Sequence, residues 1–312
     1  MRILLTGVTG QVGNALCAPL ASIGSVVAAD RALLDLSRPG DVPEILDKIV
    51  PDLIVNPAAY TAVDQAEDER ELAYRVNAES PGIMAQWASS RDIPIVHFST
   101  DYVFDGSGDR PWREDDPTGP LSVYGASKFA GERAIREAGG RHLIVRTSWV
   151  FASQGRNFLN TIVRLARERS ELRIVADQIG APTSARSIAK TLTRILGCES
   201  HAAAPAGLGD LIGQAFERAG GVVHLAASGE TSWHGFAGAI VDGLRARGAQ
   251  LAVNTIVAIE TRDFPTKATR PPNSRLDIGR LNSAFGIKMP HWRDALDAEL
   301  DDVPRRAISR RI

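Results

Sequence analysis

The stretch Ile3-Leu4-Leu5-Thr6-Gly7-Val8-Thr9-Gly10-Gln11-Val12-Gly13 decides the fold. Consecutive apolar residues run into a GxxGxxG triplet, and a helical pattern follows. Glycine tolerates the backbone angles of a sharp turn, and a loop without side chains lets a pyrophosphate approach the backbone. The N-terminus of the helix then offers N–H groups and a positive dipole end to the phosphates. The pattern therefore predicts a dinucleotide-binding strand-turn-helix unit, although a tight turn alone would leave the same glycines.

An acidic residue follows the triplet at about twenty positions, the spacing expected for a ribose-binding carboxylate. Asp30 ends the second apolar run and can accept hydrogen bonds from ribose hydroxyls. Arg31 follows directly and could pair with a 2′-phosphate, which Asp30 would repel. The two residues argue in opposite directions, so the choice between NADH and NADPH stays open.

The composition excludes several classes of protein. The chain has 312 residues, of which 44% are hydrophobic and 23% charged, and 36 Lys and Arg nearly cancel 37 Asp and Glu. A net charge of -1 excludes a generally basic nucleic-acid binder. Two cysteines exclude a disulfide framework, and no histidine or cysteine spacing indicates zinc. Without a membrane-length apolar run or a signal-peptide pattern, we expect a cytoplasmic protein that binds neither nucleic acid nor membrane.

Apolar runs alternate with amphipathic stretches in the first half of the chain. The runs are apolar at consecutive positions, which is typical of strands covered on both faces in a parallel sheet. The strand candidates are 3–6, 26–29, 53–56, 95–99 and 143–146, and the helix candidates are about 11–22, 40–49, 67–91 and 124–139. This alternation predicts an α/β protein with a doubly wound parallel sheet, the Rossmann fold. Pro19 should kink or end the first helix early.

The alternation loosens after residue 150. We expect helices near 156–169, 184–196 and 232–247, and strands near 173–175, 222–225 and 255–259. The chain therefore divides into an NAD(P)-binding domain over 1–150 and a smaller, mainly substrate-binding α/β region over 151–312, with some segments free to return to the first sheet. Residues 198–213 are typical of a surface insertion. The arginine-rich tail 304–312 is typical of a frayed terminus, with an anion-binding arm as the alternative.

Tyr124 and Lys128 form a YxxxK motif on one face of a predicted helix. A lysine ammonium beside a phenol lowers the pKa of the tyrosine, which could then transfer a proton near neutral pH. A solvated lysine beside a half-buried tyrosine is the plainer interpretation. Thr100 ends a predicted strand, at the edge where open parallel sheets bind ligands, and its hydroxyl could bond a substrate carbonyl.

Several longer segments resemble a known family. NPAAYTAVDQAE (56–67), STDYVFDG (99–106), VYGASK (123–128) and RTSWVF (146–151) resemble the extended short-chain dehydrogenases/reductases. More narrowly, the chain resembles the family of dTDP-4-dehydrorhamnose reductases over most of its length, and DQIGAPT (177–183) and RPPNSRLD (270–277) also resemble that family. STDYVFDG and DQIGAPT are the more specific of these segments. Dehydratase relatives usually carry a glutamate after the Thr-Asp pair, whereas Tyr102 stands here and favours simple reduction.

The resemblance implies reduction of the C4 ketone of dTDP-4-dehydro-β-L-rhamnose to dTDP-β-L-rhamnose, a precursor of cell-surface polysaccharide, with NADH or NADPH as cofactor. The nicotinamide would deliver hydride to C4. Thr100 and Tyr124 would stabilise the charge on the ketone oxygen, and Tyr124 would transfer its proton. Lys128 would bond the nicotinamide ribose and tune Tyr124.

The resemblance also implies a set of binding residues. Those for the cofactor are Gly7, Gly10, Gln11, Val12, Gly13, Asp30, Arg31, Asp35, Leu36, Ala58, Ala59, Tyr60, Thr61, Tyr124 and Lys128, running from the diphosphate and adenine to the nicotinamide. Those for the substrate are Thr100, Asp101, Trp149, Asn157 and Arg270. A turn-forming role for Asp101, core packing for Trp149 and loop anchoring for Asn157 and Arg270 are the alternatives.

Some relatives dimerise through magnesium held by glutamates, one of them in the first helix. Ala15 stands at that position, so the residues do not support magnesium, and we expect a monomer or a weak metal-free homodimer. Two other functions stay open. One is a different sugar-nucleotide epimerase, dehydratase or reductase of the superfamily. The other is a non-catalytic NADP-binding regulatory subunit, as in methionine adenosyltransferase. The base and the sugar of the substrate also stay open.

Overall fold

The computed structural model describes residues 1–197 and 208–303. The strands are β1 Arg2–Thr6, β2 Ser25–Ala29, β3 Leu53–Asn56, β4 Ile95–Thr100, β5 His142–Thr147, β6 Val150–Phe151, β7 Glu171–Val175, β8 Ile179–Gly180, β9 Thr183–Ser184, β10 Val222–His224, β11 Thr231–Ser232 and β12 Thr255–Ile259. The helices are α1 Gln11–Ala21, α2 Val42–Ile49, α3 Val63–Ala66, α4 Arg70–Tyr74, α5 Ser80–Ser89, α6 Val123–Glu137, α7 Phe158–Glu168, α8 Ala185–Ile195, α9 Leu208–Arg218, α10 Trp233–Ala246, α11 Gly279–Phe285 and α12 Trp292–Asp301. A π-helical turn, Arg75–Glu79, joins α4 to α5, and single 3-10 turns lie at Pro39–Asp41, Asp101–Val103 and Thr261–Asp263.

The apolar runs of the first half pair side by side in a parallel sheet. Within the described residues its strand order is β10-β5-β4-β3-β1-β2. Connections leave β1 toward β2 on one side and β3 on the other, so the order reverses between β1 and β3. This confirms the predicted doubly wound sheet. Strand β2 was expected to be covered on both faces, but it is partly exposed because it forms the edge and pairs with β1.

Both faces of the sheet are covered by helices. Leu16 of α1 and Leu192 of α8 lie in the apolar cluster on one face, and Leu46 of α2 and Met84 of α5 lie in the cluster on the other. A separate cluster joins α7, α10 and α12, with Phe236 fully buried in it. Strand β10, from the second half of the chain, pairs with β5, while the proposed domain division at residue 150 stays a prediction.

The helix predicted over 67–91 is interrupted. Pro81, near the start of α5, has no N–H to offer the carbonyl of Asn77, and the wider π turn accommodates that loss. The Asn77 carbonyl instead faces Gly131 of α6, where a Cβ would lie 2.1 Å away. Helix α1 ends at Ala21, two residues after Pro19.

The surface insertion expected over 198–213 is wrong at its end, because α9 begins at Leu208 and Ile212 is buried in the core. Residues 198–207 and the tail 304–312 lie outside the described residues. In the described ranges, no helix combines the length and the apolar character needed to cross a membrane.

A substitution at Gly13 tests the close packing of the glycine-rich loop. A Cβ at Gly13 would lie 2.2 Å from the carbonyl oxygen of Gly7, a backbone atom that cannot move cheaply. We expect Gly13→Ala to lower the free energy of unfolding by roughly 1–3 kcal/mol in urea denaturation. Gly40→Ala is the matched control, since a Cβ at Gly40 meets nothing within 4 Å. Equal stability of the two variants would contradict the close approach.

Candidate active site

A cleft of about 1330 Å³ opens at the carboxyl ends of the parallel strands. It lies where the strand order reverses, which is where open α/β sheets bind ligands. Most of the predicted cofactor-binding residues line it: Gly7, Gly10, Gln11, Val12, Gly13, Asp30, Arg31, Asp35, Leu36, Ala58, Ala59, Thr61, Tyr124 and Lys128. The exception among them is Tyr60. The lining does not include the predicted substrate residues, which are Thr100, Asp101, Trp149, Asn157 and Arg270.

The glycine-rich loop brings bare backbone to the cleft. Gly7 has a φ of 59°, and a Cβ there would lie 2.8 Å from the backbone of Ala58. Gly10 donates to the carbonyl of Gly7 at 2.9 Å and precedes the first residue of α1. Apart from its chain neighbours, a Cβ at Gly10 would meet that carbonyl at 3.2 Å and no other atom of the described residues within 4 Å, and Gly10 lines the cleft. The N-terminal N–H groups of α1 thus face space that an anion can fill.

At the other end of the cleft, two carboxylates are held by the turn after β2. Asp30 Oδ1 accepts hydrogen bonds from the N–H groups of Ala32 and Leu33, at 3.0 and 3.1 Å. Burial works to raise the pKa of Asp35, but hydrogen bonds from Ser37 outweigh it and lower the pKa. Both side chains are therefore fixed in orientation beside the cleft.

Thr100 is the last residue of β4 and links two other site residues. Its hydroxyl donates to Asp101 Oδ1 at 3.0 Å and accepts from the N–H of Tyr102 at 3.2 Å. Burial raises the pKa of Tyr124 to about 12, and a hydrogen bond with Thr100 opposes that rise. The expected lowering of the Tyr124 pKa is thus the reverse of what this structure shows. The phenol keeps its proton at neutral pH.

The reason for that difference is the direction of Lys128. Its side chain is 2% exposed, and its Nζ lies 3.1 Å from His97 Nε2. Burial lowers the pKa of Lys128 to about 7, against the opposing charge of Glu132. In this structure Lys128 Nζ therefore contacts a buried imidazole rather than the Tyr124 phenol, and burial dominates the pKa of the phenol.

A buried ion pair holds α6 against the sheet one turn beyond Lys128. Arg146 of β5 donates to both oxygens of Glu132, at 2.8 and 2.7 Å, and the two side chains are 2% and 0% exposed. Burial works to raise the pKa of Glu132, but the bonds from Arg146 outweigh it and lower the pKa. Sequence reasoning missed this pair, although an arginine within an otherwise apolar strand was a usable signal.

Asp101 lies next to Thr100 and opens a 3-10 turn, so the predicted site residue also has the turn role given as its alternative. It is 3% exposed, and its Oδ2 has no hydrogen-bond partner in the described part of the chain. Burial raises its pKa to about 6, opposed by hydrogen bonds with Ser274 and Thr100. Most buried carboxylate oxygens in folded proteins have a hydrogen-bond partner, so this unpaired oxygen next to Thr100 is an exception.

Trp149 has the core-packing surroundings given as its alternative. It is 9% exposed, and its ring stacks on Trp233 with centroids 3.6 Å apart. Its backbone φ is 47°, an uncommon value for a bulky residue, and its ring lies so close to Gly180 that a Cβ there would be 2.6 Å away.

The remaining predicted residues are tied to neighbouring loops. Arg270 pairs with Asp64 at 3.1 and 2.6 Å. Asn157 caps α7 by accepting from the N–H of Asn160, and its Nδ2 donates to Gln11 Oε1 at 2.8 Å. The hydroxyl of Tyr60 donates to Glu69 at 2.9 Å, which holds the ring outside the cleft lining.

Sequence reasoning missed two buried residues near the cleft, which are His97, the partner of Lys128, and Asn77. Asn77, fully buried in the π turn, accepts from the N–H of Tyr60 at 2.8 Å and donates to its carbonyl at 3.1 Å. It also donates to Ser127 of α6 at 2.9 Å, and so ties the cleft wall to the helix that carries Tyr124. No local pattern marks such a residue, because its partners are distant in sequence.

Across residues 1–197 and 208–303, no group of three or more His, Cys, Asp or Glu side chains could hold a metal ion. Ala15, for which the resemblance implied a glutamate in the magnesium-binding relatives, lines the cleft.

The buried carboxylate of Asp101 predicts a pH-dependent stability difference. Its folded pKa of about 6 exceeds the unfolded value, so it stabilises the fold at low pH, and that contribution is lost as the pH rises through about 6. Asp101→Asn cannot ionise. Its free energy of unfolding relative to the parent protein should therefore increase by up to about 3 kcal/mol between about pH 4 and pH 8.

Chemical denaturation across this pH range measures the difference. Asp109→Asn, at an exposed carboxylate, is the control and should show a flat difference. A flat difference for Asp101→Asn as well would contradict the burial of the ionised group.

Comparison with known proteins agrees with this geometry. The family model described as RmlD substrate binding domain matches residues 1–304. The chain is 48% identical to a dTDP-4-dehydrorhamnose reductase of Burkholderia thailandensis, covering 97% of this chain and 99% of that one. It is 42% identical to the enzyme of that name in Escherichia coli K12, covering 97% and 98%.

Solved structures agree as well. A dTDP-4-dehydrorhamnose reductase of Clostridium acetobutylicum superposes with a TM-score of 0.84 at 31% identity, covering 97% of this chain and 99% of that one. One from Bacillus anthracis, in complex with NADP, superposes with a TM-score of 0.82 at 32% identity, covering 96% and 99%. The family model, the relatives and the superpositions span nearly the whole chain, which therefore belongs to the family of dTDP-4-dehydrorhamnose reductases.

Proposed function

We propose that this protein uses NADH or NADPH to reduce the C4 ketone of dTDP-4-dehydro-β-L-rhamnose, giving dTDP-β-L-rhamnose for polysaccharide synthesis. The observation that carries the proposal is a dinucleotide-sized cleft lined by Tyr124 and Lys128, which lie one turn apart on α6, beside the end of β4 where Thr100 lies. The names of relatives that span almost the whole chain support the choice of substrate.

The residues of the cleft fit a nicotinamide dinucleotide. The open backbone at Gly10, Gln11 and Val12 would bind the diphosphate at the N-terminus of α1. Asp30 and Asp35 would bind the adenosine end, where their carboxylates are already oriented. Small side chains at Ala58, Ala59 and Thr61 leave room for the flat ring at the other end. When bound, the reduced cofactor supplies the hydride.

Side chains of the protein would stabilise the charge on the ketone oxygen and supply the proton that it takes up. Negative charge develops on the ketone oxygen, and hydrogen bonds from Thr100 and Tyr124 would stabilise it. Tyr124 is protonated at neutral pH and would transfer its phenolic proton to that oxygen. A charged Lys128 would favour the phenolate left behind and orient the ribose of the cofactor.

The structure supports a substrate-binding role more for Asp101 than for the other predicted substrate residues. Asp101 offers an unpaired Oδ2 beside Thr100 and would accept hydrogen bonds from sugar hydroxyls. The binding roles of Trp149, Asn157 and Arg270 stay predictions, since each side chain is engaged by neighbouring protein groups. The role of Tyr60 beside the nicotinamide stays a prediction for the same reason.

Tyr124→Phe tests the assignment of the proton donor. Phenylalanine has no proton to transfer, so kcat should fall roughly 10²–10⁴-fold in an assay with dTDP-4-dehydro-L-rhamnose. Oxidation of NADH and NADPH would be followed by absorbance, and the product identified by NMR. Tyr74→Phe, on α4 outside the cleft lining, is the matched control and should retain full turnover.

Near-normal turnover in Tyr124→Phe would remove the tyrosine from the mechanism. If the parent protein oxidises neither cofactor with this sugar, a non-catalytic binding role gains support. A product other than dTDP-rhamnose would support a different sugar-nucleotide enzyme.

We also propose a monomer or a weak metal-free homodimer, because Ala15 supplies no ligand for a bridging ion. Light scattering should give the same mass with magnesium and with EDTA, and a magnesium-dependent increase would contradict the proposal. A cytoplasmic location is proposed with it, since Cys17 is a free thiol, as expected in a reducing compartment.

A further inference from the structure

His97 lies inside the sheet, directly beneath the predicted catalytic lysine. It is 0% exposed, and both ring nitrogens face a polar side chain. Its Nε2 lies 3.1 Å from Lys128 Nζ, and its Nδ1 lies 3.1 Å from Asn56 Nδ2. This series of hydrogen bonds continues to the glycine-rich loop. The Thr6 hydroxyl donates to Asn56 Oδ1 at 2.6 Å and accepts from the N–H of Ala58 at 3.3 Å.

The imidazole of His97 is uncharged in these surroundings. Burial and the neighbouring charge of Lys128 hold the pKa of His97 well below its usual value of 6.5. A neutral imidazole has one N–H donor and one acceptor nitrogen, so the bond made by one nitrogen fixes the role of the other. Which group donates and which accepts at one hydrogen bond therefore fixes the donors and acceptors of the others, from Lys128 through His97 and Asn56 to Thr6.

We propose that His97 is a positioning residue for Lys128, and that its tautomer follows the charge on Lys128. An ammonium only donates, so beside a charged Lys128 Nε2 must accept and the proton sits on Nδ1. The Asn56 amide must then rotate by half a turn, so that Oδ1 takes the place of Nδ2 and accepts from Nδ1–H. Beside a neutral amine, Nε2–H donates to Nζ, and Nδ1 accepts from Asn56 Nδ2. The amide orientation in the structure corresponds to this second arrangement.

The charged groups around Lys128 leave His97 a distinct role. Glu132 also faces Lys128 and favours its charged form, but its oxygens are held by Arg146 at 2.7 Å and by Arg136 at 2.9 Å. Tyr124 lies on the same helix and is a neutral phenol. His97 is therefore the uncharged acceptor within hydrogen-bond distance of the ammonium, which it holds at the cleft without a permanent ion pair.

Nuclear magnetic resonance tests the tautomer without any assay of activity. In the full chain labelled with ¹⁵N-histidine, the His97 ring signals would be assigned by their loss in His97→Gln. We expect the Nδ1–H tautomer at about pH 6 and the Nε2–H tautomer at about pH 9, with no imidazolium in between. One unchanging tautomer, or a charged ring, would overturn the proposal.

The pH profile of activity tests the effect on Lys128, and this part rests on the proposed reductase function. His97→Leu removes the acceptor that favours the ammonium, so the alkaline limb of kcat/KM should move about one unit toward lower pH. We expect kcat near neutral pH to fall about tenfold. His97→Gln can place an amide oxygen near the Nε2 position. Compared with His97→Leu, it should therefore recover most of the parent value of kcat and most of the parent position of the alkaline limb.

His224→Gln is the matched control, because His224 is also a fully buried histidine in a sheet strand, bonded to the Asp277 carbonyl away from Lys128. It should lower stability without moving the profile. An unmoved profile in His97→Leu would mean that His97 has only a structural role and would overturn the proposal. If the parent protein reduces no sugar nucleotide, the reductase function fails, and the tautomer measurement still decides the role of His97.

Discussion

The arrangement of the site depends on one close approach of backbone to backbone, where the glycine-rich loop crosses the end of β3. Gly7 meets the backbone of Ala58, and Gly13 meets the carbonyl of Gly7, at distances that leave no room for a Cβ. This contact aims the N-terminus of α1 at the point where the strand order reverses. It also brings Thr6 within reach of Asn56, and so joins the loop to the buried polar chain that ends at Lys128.

Helix α6 carries the second half of the site on one face. Tyr124, Lys128 and Glu132 are spaced four residues apart and project in one direction. Glu132 is anchored by Arg146 in the interior of the sheet, which fixes the rotation of the helix. The same burial that fixes these side chains raises the pKa of Tyr124 and lowers that of Lys128. Position and protonation are thus set by one packing arrangement.

The sequence predicted those features that depend on local pattern. The sheet, the glycine-rich loop and the shared face of Tyr124 and Lys128 follow from periodicity and spacing over a few residues. What it could not predict is the choice of distant partners. An i, i+4 spacing places two side chains on one face but does not show that Lys128 contacts His97 instead of Tyr124. The prediction that the pKa of Tyr124 is lowered was therefore wrong. Arg270 forms an ion pair with Asp64, 206 positions away, and no local sequence pattern predicts that pair.

A neutral partner beneath Lys128 suits a lysine that must serve ligands. A carboxylate at His97 would form a buried ion pair, and a buried ion pair is strongly destabilised when either partner moves away. The ammonium would then be held on the protein rather than offered to a ribose or a phenolate. An imidazole satisfies the lysine in either charge state and competes less with a bound ligand. The nearby negative charge is kept one helical turn away, on Glu132, where Arg146 already neutralises it.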